Sequence, residues 1–430
     1  MKGAQLSLAD AAALVRRRDT LTCGLALGQP IGLLEAIGAR DDFEDLQVFS
    51  GLFVRPYPFL TRPGVRVVSG FFGPIERMAR AAGLDVQYLA ADFTGLERLV
   101  LQQKPRVVVA ATTPPDAEGW MSFALHAGAH FTAFRDAARD PDRLAIAEAN
   151  SRLPRVHGLA ELGGHRVHVS EVDAWVTHDD EPMALPMKPA SPEEVAIAAH
   201  AVRLVEDGAT LQLGIGTIPD QIAQHLAAGF AGDFGIHTEM LSDGVMRLHQ
   251  AGKVSNRKGL YDGVSVATFA LGCPDLYRWL DRNPAVALLP VSATNDAALV
   301  RRLRRFVSVN GALMVDLAGQ LAADHIRGKQ YSGVGGHETF VAAAREAPGG
   351  KSIVCLKSTA TVAGRRVSTI VPRLPADVTV TTPRQHTHWV VTEHGAVDVS
   401  ALPERARADA LVGIAHPDFR DELRAASRSL

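Results

Sequence analysis

The chain has 430 residues, 47% of them apolar, and a formal net charge of −2 at neutral pH. That length exceeds one ordinary core and implies more than one domain, while a pI near 6.8 offers no basic field to draw in nucleic acid or an anionic membrane. Cys23, Cys273 and Cys355 lie far apart with no CxxC pair, which argues against a disulfide framework or a cysteine zinc site and fits a reduced, cytoplasmic protein.

At the start of the chain, apolar residues precede Arg16-Arg17-Arg18, the reverse of the order in a secretory signal. No stretch approaches the about 18 apolar residues that a spanning helix needs, so no membrane association is expected. Leu21-Thr22-Cys23-Gly24-Leu25-Ala26-Leu27-Gly28 reads as a strand running into a glycine turn, and Ile31 to Ile37 follows as a helix. Val65-Arg66-Val67-Val68 and Arg106-Val107-Val108-Val109-Ala110 read as further strands.

Between Pro182 and Pro192 the segment Glu181-Pro182-Met183-Ala184-Leu185-Pro186-Met187-Lys188-Pro189 has three prolines and no helical period, as a linker does. Ser191-Pro192-Glu193-Glu194 then supplies an N-cap, a proline at the first helical position and a capping-box glutamate, with Val195, Ala198, Ala199, Val202 and Val205 continuing at helical spacing to Gly208. We therefore expect two domains, residues 1–186 and 191–430.

Thr210-Leu211-Gln212-Leu213 suits a buried strand. The glycine loop Gly214-Ile215-Gly216-Thr217-Ile218 comes next, and Pro219 opens a helix that runs through Leu226. Strand-like Arg305-Phe306-Val307-Ser308-Val309 in the second half pairs with Arg106 to Ala110 in the first, so the halves look like two versions of one design. Val378 to Val380 reads as one more strand, and Glu404 to Leu411 as a helix ahead of Pro417. The expected fold class is α/β: two similar open domains with mainly parallel sheets, and an active site at their interface, where pockets concentrate.

Several patterns could carry chemistry. Gly214 to Pro219 is GxGxxP, which lacks the third glycine and the acidic ribose ligand of a dinucleotide fingerprint. It leaves a backbone anion cradle at a helix start, or an ordinary tight turn. Gln330-Tyr331-Ser332-Gly333-Val334-Gly335-Gly336-His337 is open enough for a ligand to approach the backbone, or forms a flexible hairpin. Gly349-Gly350-Lys351-Ser352 copies the end of a Walker A motif, but Arg345 stands where that loop needs glycine.

His386-Thr387-His388 would put two imidazoles on one strand face without a visible third ligand, so no metal is expected. No Gly-x-Ser-x-Gly elbow is present. The segment Phe234-Gly235-Ile236-His237-Thr238-Glu239-Met240-Leu241-Ser242-Asp243-Gly244 sets an acid among apolar and glycine residues. Glu239 there could be a surface residue, an ion-paired core acid, or a nucleophile that forms an acyl intermediate once desolvated and supplied with oxyanion donors.

These segments, together with Phe269-Ala270-Leu271-Gly272, Val307-Ser308-Val309-Asn310, Asp316-Leu317-Ala318-Gly319-Gln320, Val391-Thr392-Glu393-His394-Gly395 and Ala415-His416-Pro417-Asp418-Phe419-Arg420, resemble in order the acetyl-CoA hydrolase/transferase family of class I CoA-transferases. Pro115-Asp116 with Gly119, and Asn150 with Pro154 and Gly158, agree more loosely in the first half. The length is similar to that of the family's compact 4-hydroxybutyrate and butyrate transferases.

The resemblance implies that Glu239 accepts the acyl group and then CoA, that Gly214, Ile215, Gly216, Thr217 and Ile218 contact CoA, and that Asn310, Ser332 and Gly336 line its site. Coenzyme A would be a substrate, with no tightly bound cofactor and no metal. The other partners would be a small carboxylate and further copies of the chain in a homodimer or larger homo-oligomer. Hydrolysis of acyl-CoA by the same glutamate, and CoA binding without turnover, are the competing readings. Two positions depart from the family pattern: Thr339 stands where the family usually has an aspartate before Phe340, and Lys357 replaces a common proline before Ser358-Thr359.

Overall fold

The computed structural model describes residues 2–185 and 188–428. Pro186 and Met187 of the expected linker, and with them the expected domain limit at 186, lie outside the described residues, as do Met1, Ser429 and Leu430. The chain divides into two compact units, Met1–Leu185 with Val266–Thr294, and Pro186–Ser265 with Asn295–Leu430. The sequence reading left Val266–Thr294 with the second domain. Its backbone is bonded within the first unit: Ala127 and Gly128 N–H donate to the Thr268 carbonyl (2.8 and 3.2 Å), Ala270 N–H to Leu125 (2.8 Å) and Leu288 N–H to His157 (2.8 Å).

The first unit is built on an eight-stranded sheet whose order is Ala4–Gln5, Ala174–Thr177, Leu144–Ala149, Val107–Thr112, Arg18–Cys23, Asp45–Ser50, Val65–Ser69 and Val86–Tyr88. Every neighbouring pair is parallel. All six residues of Val107–Thr112 are buried, which is why that strand reads as an unbroken small apolar run rather than an alternating one. Apolar clusters cover the two faces, one gathering Leu21, Leu33, Ile37, Val48 and Val109, the other Val108, Phe123, Phe131, Phe134 and Ala145.

The second unit carries a six-stranded sheet in the order Gly235–Ile236, Thr210–Leu213, Phe306–Gly311, Lys351–Cys355, Trp389–Thr392 and Gly395–Asp398, parallel except for the last hairpin. The expected repetition is visible in the strand orders. In the first unit Arg18–Cys23 lies between Asp45–Ser50 and Val107–Thr112, with Leu144–Ala149 beyond; in the second, Thr210–Leu213 lies between Gly235–Ile236 and Phe306–Gly311, with Lys351–Cys355 beyond.

Helix Pro192–Val202 starts as its sequence demands, with the Ser191 hydroxyl accepting from Glu194 N–H (3.4 Å) and Ser191 N–H donating to the Glu194 carboxylate (2.8 Å). Helix Thr217–Ala228 begins two residues ahead of Pro219, which the first turn tolerates because those N–H groups lack intrahelical partners in any case. Val378 to Val380 is not a strand. Val378 N–H closes a turn on the Pro375 carbonyl (3.0 Å), and Pro375 and Pro383 bracket the segment. His386 also falls in a turn and pairs with Glu338, whereas His388 faces Asp398 at 3.6 Å, so the two imidazoles do not share a strand face.

Removing the cap hydroxyl with Ser191→Ala should lower the stability of the second unit by about 1 kcal/mol. Urea denaturation should show a reduced midpoint with an unchanged slope.

Candidate active site

Three parallel strands deliver the candidate residues to one edge of the second sheet. Thr210–Leu213 pairs with Gly235–Ile236 on one side and Phe306–Gly311 on the other, so Gly214, the Glu239 segment and Asn310 all emerge at carboxyl ends of neighbouring strands. In open α/β sheets this edge is where ligands bind, since the strands stop and the connecting loops splay apart there.

The turn that carries Glu239 is fixed on both sides. His237 is fully buried, its N–H donating to the Leu211 carbonyl (3.1 Å) and its ring stacking on Tyr261 and meeting Phe306 edge-on. The Thr238 hydroxyl lies 3.3 Å from the Leu213 carbonyl and 3.1 Å from that of Met240, both acceptors, and so ties the exit of one strand to the entry of the next. Met240–Leu241 resumes extended structure with both residues buried. Glu239 is left half-buried between these anchors.

Its carboxylate meets two donors. Asn295 Nδ2 donates to Oε2 at 2.6 Å, and the Gly336 backbone N–H also donates to the carboxylate. Burial dominates all the same, raising the pKa from 4.5 to about 7, with the Asn295 and Gly336 hydrogen bonds pulling in the opposite direction. No cation is among the causes of the shift. Glu239 is thus partly desolvated and held by neutral donors rather than by a cation among the described residues.

Gly336 explains part of the glycine density ahead of helix His337–Glu346. A Cβ at this position would stand 2.2 Å from Glu239 Oε2, 2.4 Å from Asn295 Nδ2 and 2.9 Å from Phe340. Its φ of −92° is open to any residue, so the requirement is space beside the carboxylate; the left-handed turn belongs to Gly335, with φ +56°.

The other sequence candidates spread along the same edge. Gly216 has φ +119° and caps helix Thr217–Ala228 with no side chain on the first N–H groups, and Ile215 is 60% exposed, so the loop presents an open backbone surface at a helix N-terminus. Asn310 lies under that loop. Its amide bonds Gln212 (3.1 Å) and Ser308 (2.7 Å), and its Oδ1 is 3.7 Å from where a Gly214 Cβ would stand.

Ser332 is half-buried, with its N–H donating to the Asp324 carbonyl (3.1 Å) and its hydroxyl to Gly333 (3.2 Å). The structure thus joins Gly336 directly to Glu239 and places Asn310 close to Gly214, whose N–H donates to the Val309 carbonyl (2.9 Å). The Glu239 carboxylate is bonded by Asn295 and Gly336, and not by Ser332 or by Gly214 to Ile218.

Asn295 is the residue that sequence reasoning missed. It is 1% exposed and sits ahead of Asp296, which caps the short helix Ala297–Val300 by accepting from Ala298 and Leu299 N–H (2.6 and 3.1 Å). Asn-Asp before Ala-Ala-Leu-Val announces a helix start and nothing more; the 56-residue separation from Glu239 hides the pairing. Of the two departures from the family pattern, Thr339 lies inside helix His337–Glu346, and Lys357 forms an ion pair with Glu194 at 3.0 Å, while Ser358 bonds Glu393 through both its N–H and its hydroxyl.

The family model of the acetyl-CoA hydrolase/transferase C-terminal domain matches residues 272–427. The chain is 34% identical, over 98% of its length and 94% of the relative's, to a succinyl-CoA:cyclohexane-1-carboxylate CoA transferase of Geobacter metallireducens. To the 4-hydroxybutyrate coenzyme A transferase of Clostridium kluyveri it is 35% identical over 93% and 91%. The crystal structure of RipA from Yersinia pestis superposes with a TM-score of 0.90 at 33% identity, covering 99% of this chain and 97% of that one. Likeness of this extent, over a site assembled around Glu239, means that the chain belongs to the acetyl-CoA hydrolase/transferase family, among its CoA-transferases.

Proposed function

We propose that the protein moves CoA between an acyl-CoA and a small carboxylate, acetate or a four-carbon acid, through a covalent glutamyl-CoA thioester on Glu239. The observation that carries this reading is the half-buried Glu239 carboxylate held by Asn295 Nδ2 at 2.6 Å and by the Gly336 N–H, with no cation among the described residues to neutralise it.

In the first step a carboxylate oxygen of Glu239 attacks the thioester carbon, and the C–S bond breaks to give an acyl-glutamyl anhydride and the CoA thiolate. The thiolate then attacks the glutamyl carbonyl of the anhydride. Its C–O bond breaks, the first carboxylate leaves, and CoA remains on Glu239 as a thioester. A second carboxylate reverses the sequence and departs as the new acyl-CoA.

Attack on the glutamyl carbon puts negative charge on the glutamyl oxygen, the atom that Asn295 and Gly336 already address. Preorganised donors of this kind contribute about 3 kcal/mol each in comparable sites. CoA would lie along the Gly214 to Ile218 loop, with its phosphates toward the N-terminus of helix Thr217–Ala228, and along Asn310 and Ser332. Binding of its remote parts would then support the reacting end. CoA is consumed and regenerated as a group carrier, so the scheme needs neither a metal nor a tightly held cofactor. Assembly as a homo-oligomer and residence in the cytoplasm accompany this reading.

Glu239→Ala should lose acyl transfer by several orders of magnitude and still bind acyl-CoA. Wild-type enzyme treated with acyl-CoA and then borohydride should carry a reduced glutamyl group on the peptide containing His237 to Met240. Turnover by the alanine variant at the wild-type rate, with no modification of that peptide in the wild type, would refute the assignment. Running the same assay with and without acetate separates transfer from hydrolysis.

The nucleophile must be ionised, so the rate should fall as pH drops through about 7. Asn295→Ala removes a bond that favours the charged form and should move this acid limb to higher pH while lowering kcat more than it raises KM. An unshifted limb in the pH–rate profile would remove Asn295 from the account. Gly336→Val crowds Glu239 directly, and calorimetry beside kinetics should show turnover falling further than acyl-CoA affinity.

A further inference from the structure

A groove of about 580 Å³ in the first unit has no part in that reading. Its walls are the loop Thr113 to Asp116, which follows strand Val107–Thr112; the loop Ser151 to Arg155, which follows strand Leu144–Ala149; and helix Pro274–Leu280 with Asp281 and Arg282. It therefore opens at the carboxyl ends of two adjacent parallel strands. That is the edge at which open α/β sheets take ligands, and the volume suits a small molecule.

Four guanidinium groups line the groove, from Arg152, Arg155, Arg278 and Arg282, and three carboxylates, from Asp116, Glu181 and Asp281. The carboxylates are engaged. Asp116 accepts from Trp120 N–H (2.7 Å) and faces Arg155 (3.4 Å), Asp281 accepts from Arg155 N–H (2.7 Å), and Glu181 faces Arg152 (3.5 Å). Arg155 is further occupied by the carbonyls of Pro114 (2.6 Å) and Trp120 (3.0 Å).

Arg282 differs: among the described residues its guanidinium has no partner. Its backbone is held in the left-handed region at φ +53° by a bond from its N–H to the Arg155 carbonyl (2.8 Å), which fixes where the side chain leaves the fold. Arg152 and Arg278 are paired only at the surface, with Glu181 and Asp275, whose side chains are 79% and 68% exposed. Exposed pairs of that kind contribute little and exchange readily for a better acceptor.

The geometry points to a binding site for a compact polyanion, carrying phosphate or clustered carboxylate groups, held by Arg282 with Arg278 and Arg152 turning from their surface partners. A guanidinium fork matches either acceptor in bidentate fashion, and the prolines and Leu153 provide the apolar part of the wall.

Isothermal titration of the full chain with inorganic pyrophosphate, and separately with citrate, tests this and distinguishes a phosphate from a carboxylate ligand. Saturable binding of at least one probe, weakening with added salt, is expected for the wild type and for Glu239→Ala, so the result does not depend on the catalytic reading. Arg282→Ala should weaken it about tenfold or more, as loss of a charge-assisted contact does. Arg282→Gly, which suits the left-handed backbone, should do the same and guards against a folding defect. Absence of saturable binding by both probes, or undiminished affinity in the Arg282 variants, would overturn the proposal.

Discussion

The loops at the carboxyl edge of the second sheet are arranged around one carboxylate, kept partly out of water with no cation beside it among the described residues. Glu239 could have been satisfied by an arginine, which would have lowered its pKa. Instead Asn295 and the Gly336 N–H supply neutral donors, and the pKa settles at about 7. Neutral donors stabilise negative charge without locking it into a pair, so charge can leave the oxygen for a new bond and return without breaking a salt bridge.

Holding such a group requires a rigid frame, because a donor displaced by a fraction of an ångström no longer addresses the oxygen. The frame is the parallel edge formed by Gly235–Ile236, Thr210–Leu213 and Phe306–Gly311, tied by Thr238 across the strand ends and by buried His237 between Tyr261 and Phe306. Phe340 stacks on Phe306 and lies in the first turn of the helix that follows Gly336, so the aromatic packing that seats the turn also anchors the helix start beside the Gly336 N–H. Space for that N–H exists only because residue 336 has no side chain.

Much of this was legible in the sequence, for physical reasons that differ from one element to the next. Fully buried parallel strands such as Val107–Thr112 and Thr210–Leu213 announce themselves as short apolar runs, and Ser191-Pro192-Glu193-Glu194 is an explicit helix start. Two-residue strands such as Met240–Leu241 leave no period to detect. Val378 to Val380 shows the opposite failure, where β-branched residues suggested a strand but flanking prolines imposed a turn. Glu239 stood out by its apolar and glycine setting. Asn295 did not, because a hydrogen bond across 56 positions leaves no local pattern, and neither did the bonding of Val266–Thr294 within the first unit.

The departures at Thr339 and Lys357 are also decided by contacts rather than by pattern. Lys357 forms an ion pair with Glu194, the glutamate that closes the capping box of helix Pro192–Val202. One carboxylate thereby serves both the helix start and the turn before Ser358, whose own N–H and hydroxyl are fixed by Glu393. The Glu194 and Glu393 contacts constrain the chain at this point from two sides. Thr339 lies in the first turn of helix His337–Glu346, where Glu338 at the preceding position supplies the negative charge that favours the helix dipole. Neither residue takes part in the two hydrogen bonds to the Glu239 carboxylate, which come from Asn295 and the Gly336 N–H.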